Sequence, residues 1–190
     1  MTGKWSAGMI SLVFIAASAS ADMYQIDTTH AEVGFSIRHM GISNVRGNFG
    51  DFSGSIEYDG VDPASLKAEA TIQVESIDTG MKKRDDHLRS PDFFDAKAHP
   101  EMTFTTTAVE KSGDGFVLKG DLTMHGVTQK IALPMTLAGP IDDPWGNSRI
   151  GIEISGTLKR HDWGVGTDGA SDKVIGKDVK LDINLEATKK

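Results

Sequence analysis

From Val33 onward the chain alternates. Val33, Phe35 and Ile37 are separated by small or polar residues, the period of two expected of a strand with one buried face. The pattern returns at Phe52, Gly54, Ile56 and Tyr58, at Leu66, Ala68, Ala70, Ile72 and Val74, and at Met102, Phe104 and Thr106. It continues at Phe116, Leu118, Gly120, Leu122 and Met124, and at Ile131, Leu133, Met135 and Leu137. Ile150, Ile152, Ile154, Gly156 and Leu158 form the next set, and Val179, Leu181, Ile183 and Leu185 the last. Threonine is abundant between these positions, as suits the outer face of a sheet. Asp59-Gly60, Ser112-Gly113-Asp114-Gly115, His125-Gly126 and the stretch 142–147 supply turn signals between the runs. Connections this short predict antiparallel hairpins. Residues 80–95 break the alternation with a charged stretch carrying Met81 and Leu88, which predicts a short surface helix ended by Pro91. No linker or repeat marks a second domain.

About eight antiparallel strands with one apolar face each suggest a sheet closed on itself, because closure removes exposed edges. A β-sandwich fits the alternation equally well. An eight-stranded barrel is either filled by its side chains or holds one small ligand. The small inward positions Gly54, Ala68, Ala70, Gly120 and Gly156 lean toward a cavity, since they leave volume unfilled, although glycine also relieves bending.

The first residues belong to no strand. Lys4, a short apolar run from Met9 to Ala17, and Ala19-Ser20-Ala21 form the three regions of an export signal. The run is too short to span a bilayer, and no cysteine follows it to accept a lipid anchor. Residues 1–21 are therefore expected to be a signal peptide cleaved after Ala21, and residues 22–190 a single domain. The formal net charge of -7 argues against a nucleic-acid partner and against electrostatic docking on an anionic membrane. The chain has no cysteine, so it has neither disulfide nor thiolate chemistry.

The strand pattern nominates an apolar wall: Val33, Phe35, Ile37, Phe104, Leu118, Leu122, Leu133, Ile152, Ile154, Leu181 and Ile183. Each residue alone reads equally as core, so the expectation concerns the set. Polar candidates cluster at strand ends. Arg38 and His39 close one strand, and Arg160, Asp162 and Trp163 follow another. An arginine fork suits a phosphate or carboxylate head group. Against that, alternation turns Arg38 outward unless a bulge intervenes, and Arg160 and Asp162 have equal reason to pair and pin a loop. The six histidines at 30, 39, 87, 99, 125 and 161 lack the close spacing of a zinc site, and Asp85-Asp86-His87 reads as a solvated helix face. No metal or cofactor is expected. No nucleophile elbow, phosphate loop or dinucleotide fingerprint is present.

Longer segments carry a resemblance. Tyr24-Gln25-Ile26-Asp27, Thr29-His30, the stretch 33–39, Val45-Arg46-Gly47-Asn48-Phe49 and Asp51-Phe52-Ser53-Gly54 resemble the opening of the YceI family. Arg84-Asp85-Asp86-His87-Leu88, Phe93-Phe94-Asp95, His99-Pro100, the stretch 118–128 and Arg160-His161-Asp162-Trp163-Gly164-Val165 are similar to its later segments, in order across the whole expected mature chain. The resemblance implies a lipocalin-like, extended eight-stranded antiparallel barrel with a helix near one end. It also implies a periplasmic address and non-catalytic binding of a polyisoprenoid, quinone-like or similar long amphiphile. Two other functions stay open: an enzyme acting on such a lipid with His39 or His125 as acid–base, and a filled barrel acting through protein partners. A homodimer is also left open.

Overall fold

A computed structural model describes residues 20–167 and 172–190; the expected export signal lies outside the described residues up to residue 19. The strands are β1 (Asp22–Ile26), β2 (Glu32–His39), β3 (Ser43–Phe49), β4 (Phe52–Tyr58), β5 (Lys67–Gln73) and β6 (Ile77–Asp78). After helix α1 (Lys82–Arg89) come β7 (Glu101–Ser112), β8 (Gly115–Met124), β9 (Val127–Asp142), β10 (Ser148–Lys159) and β11 (Ile175–Lys189).

These eleven segments make eight barrel strands. β1 and β2 both run antiparallel to β11, with Tyr24 opposite Lys189 and Val33 opposite Ile183, so they are one strand interrupted by a 3-10 turn at Thr28–His30. β3 and β4 likewise form one strand bent at Gly50 and Asp51, and β5 and β6 one strand broken at Val74–Ser76. β5, β7, β8, β9, β10 and β11 then pair in succession, and the β1–β11 ladder closes the barrel. The barrel expectation holds, and the sandwich does not.

Closure is incomplete at one end. β5 pairs with β7 up to Gln73 opposite Glu101, and Val74 N–H donates to the Pro100 carbonyl at 2.8 Å. Beyond that point β6 pairs with β3 alone, leaving a seam between β6 and β7. The chain connecting those two strands carries α1. At about two turns the helix is too short to be stable alone, and no side chain caps its N-terminus. It is tied down instead. The buried Asp85 carboxylate accepts from the Thr79 N–H and hydroxyl, while Arg84 donates from Nε to Thr79 Oγ1 (2.6 Å) and from Nη2 to the Thr79 carbonyl (2.7 Å). Arg89 donates to the carbonyls of Glu75 and Ile77, both at 2.8 Å. The helix ends before Pro91, as expected. It lies at the surface, with Lys82, Lys83, Asp86 and His87 exposed, but Asp85 is not solvated, because its carboxylate is taken up by Thr79.

Two apolar clusters bracket the interior. One gathers Tyr24, Ile56, Tyr58, Leu66 and Ile150 at the closed end. The other gathers Phe49, Val74, Ile77 and Trp163 beneath α1. Between them, Phe35, Ile37, Phe104, Leu122, Ile154, Leu181 and Ile183 point inward yet stay only half-buried. The glycines do not account for that space. A methyl group at Gly120 would strike the Phe104 ring, one at Gly156 would strike Leu133, and one at Gly54 would sit 2.7 Å from Ile26 Cδ1. Each glycine is therefore covered by a large neighbour, which corrects the expectation that it leaves a void. Ala68 and Ala70 do face the open interior.

Arg149 ties the β1–β2 break to the barrel. Its guanidinium lies 2.8 Å from Asp27 Oδ2, 2.8 Å from Asp143 Oδ2 and 3.2 Å from Glu186 Oε2. Hydrogen bonds from Thr29 and then Arg149 hold the Asp27 carboxyl well below its ordinary range, and Arg149 does the same to Asp143.

Two outcomes follow for stability. Gly120→Ala would set a methyl 2.6 Å from the Thr105 carbonyl as well as against Phe104. It should cost about 1–3 kcal/mol, lowering the melting temperature by roughly 3–10 °C for a domain of this size; an unchanged melt would mean that ring and strand give way freely. Asp27 and Asp143 favour the ionised form in the fold. Their contribution is complete above the unfolded aspartate value of about 3.9 and fades as pH falls through the lower folded values. Urea melts should therefore show stability declining below about pH 4, with a shallower decline in Arg149→Met. An identical acid slope in that variant would assign the loss to other carboxylates.

Candidate functional site

The half-buried inward side chains enclose a cavity of about 760 Å³, in the upper part of the range of about 300–1,000 Å³ typical of small-molecule sites. Alternation positions its wall. On β2, Val33, Phe35 and Ile37 face in while Glu32, Ser36 and Arg38 face out or to the rim; on β10, Ile152 and Ile154 face in while Glu153 and Ser155 face out. All eleven residues expected to form the wall line this cavity: the five just named with Phe104, Leu118, Leu122, Leu133, Leu181 and Ile183. Leu118 and Ile152 are the most deeply packed of them, both belonging to the closed-end cluster at 4% exposure.

The cavity opens between the β2–β3 hairpin and α1, and there the wall turns basic. Arg38 and His39 reach it from β2, and Lys83, Arg84 and His87 from the helix. Glu69 is the one carboxylate among the described lining residues. A bulge does fall opposite Arg38: Ile175 pairs with His39 and Val179 with Ile37, so three residues of β11 face one of β2. Arg38 nevertheless stays exposed at the rim and donates to Asn44 Oδ1 at 3.3 Å. Sequence reasoning missed the helix side chains, along with Met81, Phe93 and Phe94, which also line the cavity. Their stretch carries only Met81 and Leu88 as apolar signals before Phe93, too few to reveal which face turns inward.

The second strand-end group divides. Arg160 touches the cavity, yet its donors are engaged. Nε bonds the Gly176 carbonyl, Nη1 those of Val165 and Gly166, and Nη2 that of Ile175 and the Asp172 carboxylate at 2.9 Å. It pins a loop, as one reading had it, but through Asp172 rather than Asp162. Asp162 lies outside the cavity with its carbonyl accepting from Gln129 at 2.9 Å. Trp163 is also outside it, 2% exposed, with Nε1 donating to the Leu122 carbonyl at 3.1 Å. Gly164, at φ 71°, makes the turn that follows Trp163.

Thr79 carries the only hydroxyl among the described lining residues, and Asp85 and Arg84 hold it from both sides. His39 stands at the rim, whereas His125 lies outside the cavity, its Nδ1 3.1 Å from the Trp163 carbonyl. That removes His125 as an acid–base for a bound chain. The fold brings the His99 and His125 rings edge to face at 4.9 Å, which their spacing in sequence could not show. Among the described residues, Asp27, His30 and Glu186 converge closely enough to consider a metal ion, but Arg149 already supplies the cation to both carboxylates.

No described helix is long and apolar enough to cross a membrane. The outer positions of β10 and β11, such as Glu153, Lys159, Lys180 and Asp182, are charged and exposed, where a membrane-spanning barrel carries an apolar band.

Comparison with known proteins agrees with this geometry. The model of the YceI-like domain matches residues 24–187. Protein YceI of Escherichia coli O157:H7 is 45% identical over 160 residues, covering 83% of this chain and 84% of that protein. The crystal structure of Burkholderia cenocepacia BcnA superposes with a TM-score of 0.78 at 26% identity, covering 86% of this chain and 99% of that one. A polyisoprenoid binding domain from Saccharophagus degradans shares the fold, with a TM-score of 0.67 at 19% identity over 88% of this chain and 98% of that one. A family model that spans nearly the whole barrel, with a close relative beside it, settles the assignment: the chain belongs to the YceI-like family.

Proposed function

We propose that this protein binds one long-chain amphiphile of the polyisoprenoid or isoprenoid-quinone class and carries or stores it without altering it. The chain would lie in the barrel and the head at the basic rim. The observation that carries this reading is a ring of inward apolar side chains left half-exposed around about 760 Å³ of space. Such a wall recovers about 2.5 kcal/mol for each 100 Å² of hydrocarbon it covers, whereas a filled core would already have done so with its own side chains. The polyisoprenoid-binding relative supports the chemical class. The expected export signal and the family support a periplasmic site of action after cleavage at Ala21, and β1 begins at Asp22, the residue such cleavage would expose.

Delipidated protein should melt lower than protein saturated with a polyprenyl lipid. Binding at a hundred times the dissociation constant is worth about 2.7 kcal/mol, or roughly 5–10 °C here. Leu122→Gln and Ile154→Gln place an amide against the chain and should abolish the recovery while preserving the far-ultraviolet circular dichroism. Thr105→Ser, on the exposed outer face, should recover normally. No shift with any isoprenoid, fatty acid or amide would sink the carrier reading. Separately, intact mass of the exported protein should place its first residue at Asp22; a retained Met1 would refute processing at Ala21.

A further inference from the structure

We infer that the cavity mouth is also a docking face for an anionic lipid bilayer. Four apolar side chains stand exposed around the opening: Met40 (57%), Ile42 (81%), Met81 (54%) and Val174 (44%). They come from three separate segments brought together by the fold. Met40 N–H donates to the Val174 carbonyl at 2.8 Å, Met81 itself lines the cavity, and His39 and Ile175, the chain neighbours of Met40 and Val174, line it too. One exposed apolar residue needs no explanation, but a set rimming an apolar cavity and set among charges marks an interaction site.

The charge around them names the partner. The framing stretches 38–46, 78–89 and 172–178 hold eight lysines and arginines against five aspartates, in a chain of formal net charge -7. Of those aspartates, Asp85 is buried against Thr79, Asp86 and Asp172 are already ion-paired, and Asp78 and Asp178 are exposed, so the cations stay in excess. Among the described residues no carboxylate pairs with Arg46, Lys83 or Lys177. The opposite end provides the contrast. Val61, Ile141 and Trp145 are exposed there too, but they sit beside Asp59, Asp62 and Asp142, while Asp143 is already paired with Arg149. That end would be repelled by an anionic surface.

Net charge argued against such docking; its distribution reverses the argument. The twelve residues of β10 separate the two ends by about 30 Å, at about 3.3 Å per residue and a barrel tilt near 40°. Screening is effective beyond about 8 Å at physiological salt. A bilayer at the mouth therefore meets the cations and not the distant carboxylates. Apolar tips entering among the lipids with lysines at the phosphates would let a lipid pass into the cavity without crossing water. That purpose rests on the carrier reading; the docking does not.

The chain has no cysteine, so Ile42→Cys and Trp145→Cys each give a unique attachment point for the environment-sensitive dye NBD in the exported protein. Vesicles of phosphatidylglycerol and phosphatidylcholine should blue-shift the dye at position 42 and leave position 145 unchanged. Pure phosphatidylcholine or high salt should weaken the response, and Arg46→Glu with Lys83→Glu should reduce apparent affinity about tenfold or more. Silence at position 42, or equal response at both positions, would overturn the proposal. So would a dye at position 42 that responds to protein concentration without vesicles, which would give the patch to a second copy of the chain. The Ile154→Gln variant should dock normally. Docking without any lipid-induced melting shift would therefore sink the carrier reading alone, and a shift without docking would sink this one alone.

Discussion

Backbone hydrogen bonding around a closed sheet is the constraint on which the rest depends. Eight strands joined edge to edge have a circumference set by ladder geometry, not by the side chains inside. The β11 strand secures it by pairing with β10 on one side and with β1 and β2 on the other. Because alternation sends one apolar set inward, the walls are held apart by bonds that the hydrophobic effect cannot break. The interior stays open for that reason. Large neighbours cover Gly54, Gly120 and Gly156 locally, yet the middle remains unfilled.

What closes the far end and shapes the near end differs in kind. Tyr24, Ile56 and Ile150 pack into a dry floor, each at most 2% exposed. The near end is built from polar fastenings: Arg160 gathering backbone carbonyls, Trp163 bonded to β8, and Asp85 holding Thr79. Apolar packing makes the floor, and charged and polar contacts make the rim.

How much of this was legible follows from which contacts are local. A period of two in a one-sided sheet fixes which side chains face in, so the wall residues from Val33 to Ile183 could be named from alternation. β3 escaped notice because Gly47 interrupts its inward row of Val45 and Phe49; only the fold shows that the Phe35 ring, opposite Gly47 in register, fills the gap. β1 offers just Tyr24 and Ile26, and β6 is two residues long. The basic rim on α1 was hidden since its direction is set by Thr79 and Asp85, a pairing without a sequence signature. The partner of Arg160 was mistaken for the nearer aspartate, when the loop folds back to bring Asp172 instead. Family resemblance, carried by many short segments in order, reached further than any of these local arguments.

The seam between β6 and β7 gives the two ends different mechanical characters. Where ladders run unbroken, the bore is fixed in the way a machined sleeve is fixed. Above Val74 and Pro100 the girth is set by side-chain ties from α1 instead of by a ladder, so this part works as a collar whose gauge depends on a few arginine and threonine contacts. A substitution in the stretch joining those two strands would therefore alter the gauge of the opening while leaving the ladders of the sleeve untouched.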